Sequence, residues 1–277
     1  MLEAPRDTPA EPAFSEGGAR VVPFRGGGFV AARWRGASLG FFAAALLIWE
    51  AAVRADVVSR LFLPAPTDIA AALWNLATSG LLWQHVGLSL VRIAAGWTLG
   101  TLAGLAAGLA IGIWSLARAV GLPFVSALFP IPKIALLPLL ILWLGIGEAA
   151  KIATIALGVF FPTAIAAYSG VDAVPRNLIR MAQSFGLCAR DVISKVVLPG
   201  ALPSILAGFR VTASIALILL VSAEMIGAEF GIGAFILAAG NMMRTDQLMA
   251  GVTLLSVLGL LIGTVLSRLE RRLLRWR

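Results

Sequence analysis

Two charged side chains interrupt long apolar stretches of this chain: Lys133, inside PIPKIALLP, and Glu224, inside LVSAEMIG. A charge at membrane depth is costly, and it marks a pathway, a relay or a pairing with another charge. Lys133 either lines a path or lies near an interface and snorkels. Glu224 either lines the path or pairs with a basic residue to hold helices together. His85 and Ser89, four residues apart, would share a helix face as base and nucleophile of a hydrolase. No third residue supports that chemistry. Cys188 is the only cysteine and His85 the only histidine, which excludes an intrachain disulfide, a thiolate cluster and a histidine-rich metal site. No G-x-x-x-x-G-K-[ST] string is present to hold nucleotide phosphates. The expectation is a non-catalytic chain without cofactor or metal.

A different kind of chemistry is offered by residues 172–203, DAVPRNLIRMAQSFGLCARDVISKVVLPGALP. This insert is too polar to span a bilayer and too patterned to be a slack linker. Pro175 suits the first turn of a helix. Leu178, Met181, Ala182 and Phe185 then fall at helical spacing on one face, with Arg176, Asn177, Arg180, Gln183 and Ser184 on the other. Gly186 interrupts the pattern. A second short helix carries Ala189, Val192, Ile193 and Val196; Leu198-Pro199 ends it, and Pro203 opens the next apolar stretch. Such a helix–turn–helix either lies on a membrane surface, with basic residues on anionic lipid, or docks its apolar face into the groove of a soluble partner.

The elements around the insert are apolar. The chain has 277 residues, 60% hydrophobic and only 13% charged, about half the charge of a soluble domain. Runs of roughly 20 apolar residues read as membrane-spanning helices, since an open strand or loop cannot satisfy its backbone in lipid. An all-α polytopic fold with about six spans is expected, near 37–53, 92–114, 120–144, 150–169, 204–226 and 247–267. Residues 54–83 suggest a turn and a short helix on the far side, and 229–247 a far-side helix or re-entrant piece. Residues 1–36, rich in Pro, Gly and Arg, read as a disordered cytoplasmic tail ahead of a membrane domain 37–277. Basic clusters at Arg20–Arg35, Arg176–Lys195 and Arg268–Arg277 place both termini and the insert in the cytoplasm by the positive-inside rule. That distribution turns the net charge of +8 away from nucleic acid and toward a membrane protein's inner face. Arg210 is expected to snorkel to the same face.

Two spans carry special residues. The second has Gly96, Gly100, Gly104, Gly108 and Gly112, a small-xxx-small stripe that lets a neighbouring helix approach or slide. The third has Pro123, Pro130, Pro132 and Pro138 and should be kinked or broken near PIPKIALLP.

The insert resembles the EAA loop of permease subunits in bacterial ABC importers, whose pattern is EAA-xxx-G-x9-I-x-LP. Here it runs Arg180-Met181-Ala182, three residues, Gly186, nine residues, then Val196-Val197-Leu198-Pro199. Arg180 and Met181 stand where the family has glutamate and alanine. PIPKIALLPLLILWLGIGE, SAEMIGAEFGIGAFI, MRTDQLMAG and LERRLLRWR are similar to the nitrate, sulfonate, taurine and bicarbonate importer branch, over roughly residues 60–277. The resemblance implies a type I importer permease of the inner membrane. Two cytoplasmic ATP-binding subunits would grip the loop through Arg180, Met181, Ala182, Phe185, Gly186, Leu187, Val196, Leu198 and Pro199. A periplasmic substrate-binding protein would deliver a small anion, and a second permease copy would complete the path, lined by Lys133 and Glu224. Permeases for thiamine-precursor pyrimidines share the style, and an ATP-independent secondary transporter is the other class in play.

Overall fold

The structure is a computed structural model that describes residues 36–275. The expected tail, apart from Gly36, and the arginines at 20, 25, 33, 35 and 277 lie outside the described residues. Every regular element among those residues is helical.

The first expected span is α1 (Ala37–Arg54), which rises about 27 Å, close to the hydrocarbon thickness. Near its end, Glu50 accepts from Arg54 Nε at 2.9 Å and from the Thr67 N–H at 3.1 Å, which ties that end to α2 (Pro66–Thr78). Pro66 starts α2 where a missing N–H costs nothing. Ile69 and Ala72 of α2 pack on Ala250 of α11 (Thr245–Leu273), so the expected short helix between spans is present.

Four helices among the described residues are long and apolar enough to cross a membrane, and a bent pair makes a fifth; α1 is not among them, against about six spans expected. The first of the four, α3 (Leu81–Ile113), begins eleven residues before the expected second span. Its opening turns carry His85, Ser89 and Arg92, all buried, so their polarity is satisfied within the protein and not by water. α3 lies directly on α6 (Glu148–Asp172) along the glycine stripe. A Cβ at Gly100, Gly104 or Gly108 would sit 2.3–2.4 Å from the carbonyl oxygens of Ala156, Phe160 and Ala164. Only hydrogen at these positions lets the two backbones meet, as in small-xxx-small pairs in lipid.

The third expected span is broken. α4 (Ser115–Leu128) and the stretch Lys133–Leu144, a short 3₁₀ turn running into α5 (Leu137–Leu144), meet at 87°. Pro130 and Pro132 supply no N–H, so the carbonyls that end α4 need other donors.

The insert departs from expectation at its exit. α7 (Arg176–Ser184) and the turn at Gly186 are as expected, but Leu198-Pro199 does not end the second helix. α8 (Ala189–Val192) passes through a π-turn, Ile193–Val197, into α9 (Leu198–Gly227), one continuous helix of 39 residues. Pro199 would break a regular ladder. The wide turn absorbs it: the Leu198 N–H donates to the Ile193 carbonyl, five residues back. Pro203 therefore lies inside α9 and does not open it. α10 (Ile232–Asn241) is the short apolar helix expected between 229 and 247.

Candidate functional site

The insert is a small folded unit with its own core. Ala182, Val192 and Val197 are buried against Ile179, Leu187, Val196 and Val171. α7 ends in a Schellman motif. The Leu187 N–H donates to the Ala182 carbonyl at 3.2 Å, and the Gly186 N–H to the Gln183 carbonyl at 2.9 Å. Gly186 has φ +75° and open space around its missing Cβ. Its requirement is therefore backbone handedness and not close approach. Ala182, Gly186 and Leu187 thus form one structural device: small residue inward, left-handed turn, apolar residue folding back.

The expected single apolar face divides in two. Ala182 points inward, whereas Leu178, Met181 and Phe185 are exposed on the outer side, Phe185 at 78%. Val196 packs in the insert core, Leu198 is exposed and Pro199 half-buried at the start of α9. Arg180 is exposed, as are Arg176 and Arg190. Lys195 donates to Asp191 at 3.1 Å, which holds that exposed carboxyl below its ordinary range. Where α6 enters the insert, Asp172 takes both Arg118 guanidinium nitrogens at 2.7 Å, which fastens the insert's root to α4. At the same end of the bundle, Arg210 of α9 pairs with Glu270 of α11, so its charge has a partner on a neighbouring helix.

At the opposite end lies a buried ion network: Glu224 does pair with a basic residue, one of its two expected roles, whereas its partner Arg92 and the further members Glu148 and Lys151 were not legible in the sequence. Glu224, fully buried on α9, accepts from Ser89 Oγ at 2.7 Å and Arg92 Nη1 at 2.8 Å through Oε1, and from the Gly233 N–H at 2.8 Å through Oε2. The last bond caps the first turn of α10, where a carboxylate is also favoured by the helix dipole. Arg92 Nη1 donates further to the Phe230 carbonyl at 2.6 Å. Its Nε and Nη2 grip Glu148 on α6, the latter at 2.7 Å. Lys151 Nζ reaches Glu148 Oε1 at 3.3 Å. His85 Nδ1 lies 2.9 Å from the Gly231 carbonyl, and Ser89 Oγ accepts from the Ile232 N–H at 2.9 Å. His85 and Ser89 hold the loop into α10 and touch different partners. Gly231, φ +145°, passes so close that a Cβ would fall 2.5 Å from the Glu224 carboxyl carbon. Two cations and two anions balance.

Lys133 sits elsewhere. Its Nζ donates to the carbonyls of Leu128, Phe129 and Ile131 at 2.8, 3.1 and 2.6 Å and lies 4.6 Å from the Phe161 ring centroid. These carbonyls lie at the end of α4 and just beyond it, so Lys133 stabilises the bend. Lys133 and Glu224 are not brought together. No group of three or more His, Cys, Asp or Glu side chains able to hold a metal occurs among the described residues.

Residues 69–276 match the family model described as binding-protein-dependent transport system inner membrane component. The chain is 36% identical to the taurine transport system permease protein of Escherichia coli over 86% of its length and 89% of that protein's. It is 37% identical to a putative aliphatic sulfonates transport permease protein of Bacillus subtilis over 84% of each chain. Among solved structures, a MetNI methionine ABC transporter in inward facing conformations aligns with TM-score 0.61 at 23% identity, covering 71% of this chain and 98% of that one. An amino acid ABC transporter aligns with TM-score 0.58 at 19% identity, covering 72% and 97%.

Proposed function

We infer the working role of this chain from the premise that it belongs to the binding-protein-dependent transport system inner membrane component family. It is a multi-pass inner-membrane permease subunit of an ABC importer, and it works with ATP-binding and substrate-binding partners. Family membership displaces the ATP-independent carrier as a reading. The finer assignment is ours: the cargo is a small organic sulfonate of the taurine and alkanesulfonate class, in keeping with what the similar permeases are named for.

The observation that carries the coupling role is the outer face of α7. Leu178, Met181 and Phe185 stand exposed on a helix whose other side is locked into the insert core. That is the form of a helix made to lie in another protein's groove. ATP-driven closure of two such partners would move α7, and Asp172–Arg118 and the α8–α9 helix would carry the motion into the bundle. Two copies of the chain would enclose the path, with insert and termini cytoplasmic. The tail 1–36 stays cytoplasmic in this arrangement.

The test is reconstitution of the full importer in liposomes with its ATPase and binding protein. ATP-dependent uptake of labelled taurine or an alkanesulfonate is expected. A binding protein that ignores sulfonates and takes a pyrimidine would move the cargo to the other branch.

A further inference from the structure

Arg92 and Lys151 form a buried cation pair whose accessible side is covered by one residue. Their side chains are 3% and 7% exposed, whereas that of Glu148 between them is 52% exposed. Arg92 gives Nη1 to Glu224 and Phe230, but its Nε and Nη2 are given to Glu148 alone. Lys151 has three donors and a single side-chain partner, Glu148 at 3.3 Å. Buried donors are normally used. Lys133, by contrast, uses all three of its protons on carbonyls. Beside Lys151 is a small cavity of about 10 Å³ with an apolar lining of Leu137, Ile141, Ile146, Ala150 and Ala223.

We propose that Arg92 and Lys151 are an anion seat for a sulfonate headgroup, kept closed by the Glu148 carboxylate until a substrate oxyanion replaces it. This rests on the sulfonate-importer reading above. A guanidinium edge binds two oxygens of an oxyanion in parallel, and an ammonium takes a third as a point charge. Glu148 has two oxygens, and its Oε1 is shared between Arg92 Nη2 and Lys151. A sulfonate has three, and so gives Lys151 an oxygen of its own. Both occupants carry one negative charge, so the exchange leaves Arg92, Lys151 and Glu224 as balanced as before. A solute without an anionic group cannot make the exchange without leaving buried charge uncompensated. Glu148 opens α6 and its side chain is 52% exposed on the single chain, so it can swing out without unfolding a helix.

The test uses the full chain in lipid nanodiscs, with Glu148→Cys in a Cys188→Ser background, since Cys188 is exposed. The thiolate is reacted with anionic 2-sulfonatoethyl methanethiosulfonate and with its trimethylammonium analogue. Each forms a mixed disulfide and releases methanesulfinate. The anionic reagent should react about tenfold faster, as two facing cations demand. Ethanesulfonate should slow it saturably beyond choline chloride at equal ionic strength, and taurine, a net-neutral zwitterion, should slow it below the rate of the reagent alone. That protection should vanish in Lys151→Gln. No protection beyond the salt control overturns the seat, and this reading needs only the Glu148→Cys chain, whatever becomes of the lysine variant. Because labelling requires no transport, the two assignments separate. Protection without taurine uptake keeps the seat and loses the cargo; uptake without protection does the reverse.

Discussion

Arg92 on α3 and Glu224 on α9, 132 residues apart, meet at 2.8 Å with both side chains almost wholly buried. Through Gly233 and Phe230, the same pair fixes the loop that leads into α10. Glu224→Ala leaves a buried guanidinium short of its counter-charge, which costs about 3–5 kcal/mol. Glu224→Gln keeps an acceptor and should cost less. Thermal unfolding of the two variants in detergent should rank them below wild type in that order; equal melting of all three would contradict a structural charge pair.

The stripe on α3 makes a size-dependent prediction. Gly104→Val drives a side chain into the Phe160 carbonyl, 2.4 Å from the first added carbon. Overpacking of this kind costs about 1–3 kcal/mol, and more where only backbone can yield. Gly263→Ala on α11 meets nothing within 4 Å and should be neutral or slightly stabilising. Protease resistance in membranes checks both.

At the turn of the insert, backbone handedness is the requirement. Gly186→Val places a branched residue at φ +75°, a cost of about 1–2 kcal/mol, while Gly186→Asn tolerates that conformation far better. In the reconstituted importer, substrate-stimulated ATP hydrolysis should fall strongly for valine and mildly for asparagine. Indistinguishable variants would remove the Schellman turn from the coupling account.

Phe185→Ala and Met181→Ala delete outward apolar area without touching the core of the insert. Melting should stay within about 0.5 kcal/mol of wild type, as for exposed sites generally. Copurification of the ATPase subunit should drop at least about tenfold for Phe185→Ala, the loss of a buried aromatic anchor. Full retention of the ATPase would send the groove elsewhere.

Lys133→Met removes the ammonium that bridges the carbonyls of Leu128, Phe129 and Ile131 at the 87° bend, where Leu128 keeps only the Ile131 N–H at 3.3 Å. A loss of about 1–3 kcal/mol in all is the scale to expect, since the bonds to Phe129 and Ile131 are exposed. Site-directed spin labels on α4 and α5 should report a broadened distance distribution.

Much of the scaffold was legible because apolar length, glycine spacing and proline position are local signals. The short helix α2, the break at Pro130–Pro132 and the stripe from Gly96 to Gly112 all follow from residues read in order. The exit of the insert was misread because Leu198-Pro199 has two local solutions, an end or a π-turn, and packing of Val192 and Val197 selects the second. The ion network was hidden for another reason. Arg92 depresses the hydropathy of α3, so its turn looked like the outside of a span, and its partners lie 56 and 132 residues away. Only a Glu224 in need of a basic partner pointed toward it.

The 39-residue helix from Ala189 to Gly227 has a contour of about 58 Å, nearly twice the thickness of a hydrocarbon core. It is a connecting rod with the insert at one end and Glu224 near the other. No loop intervenes to dissipate a push, and its soft link is the π-turn at Ile193–Val197, where the ladder is already widened. In the coupling role proposed above, stiffness at those five residues would set how much of a stroke applied at α7 arrives at α10. Substitutions there would change the gain of the machine while leaving both of its ends intact.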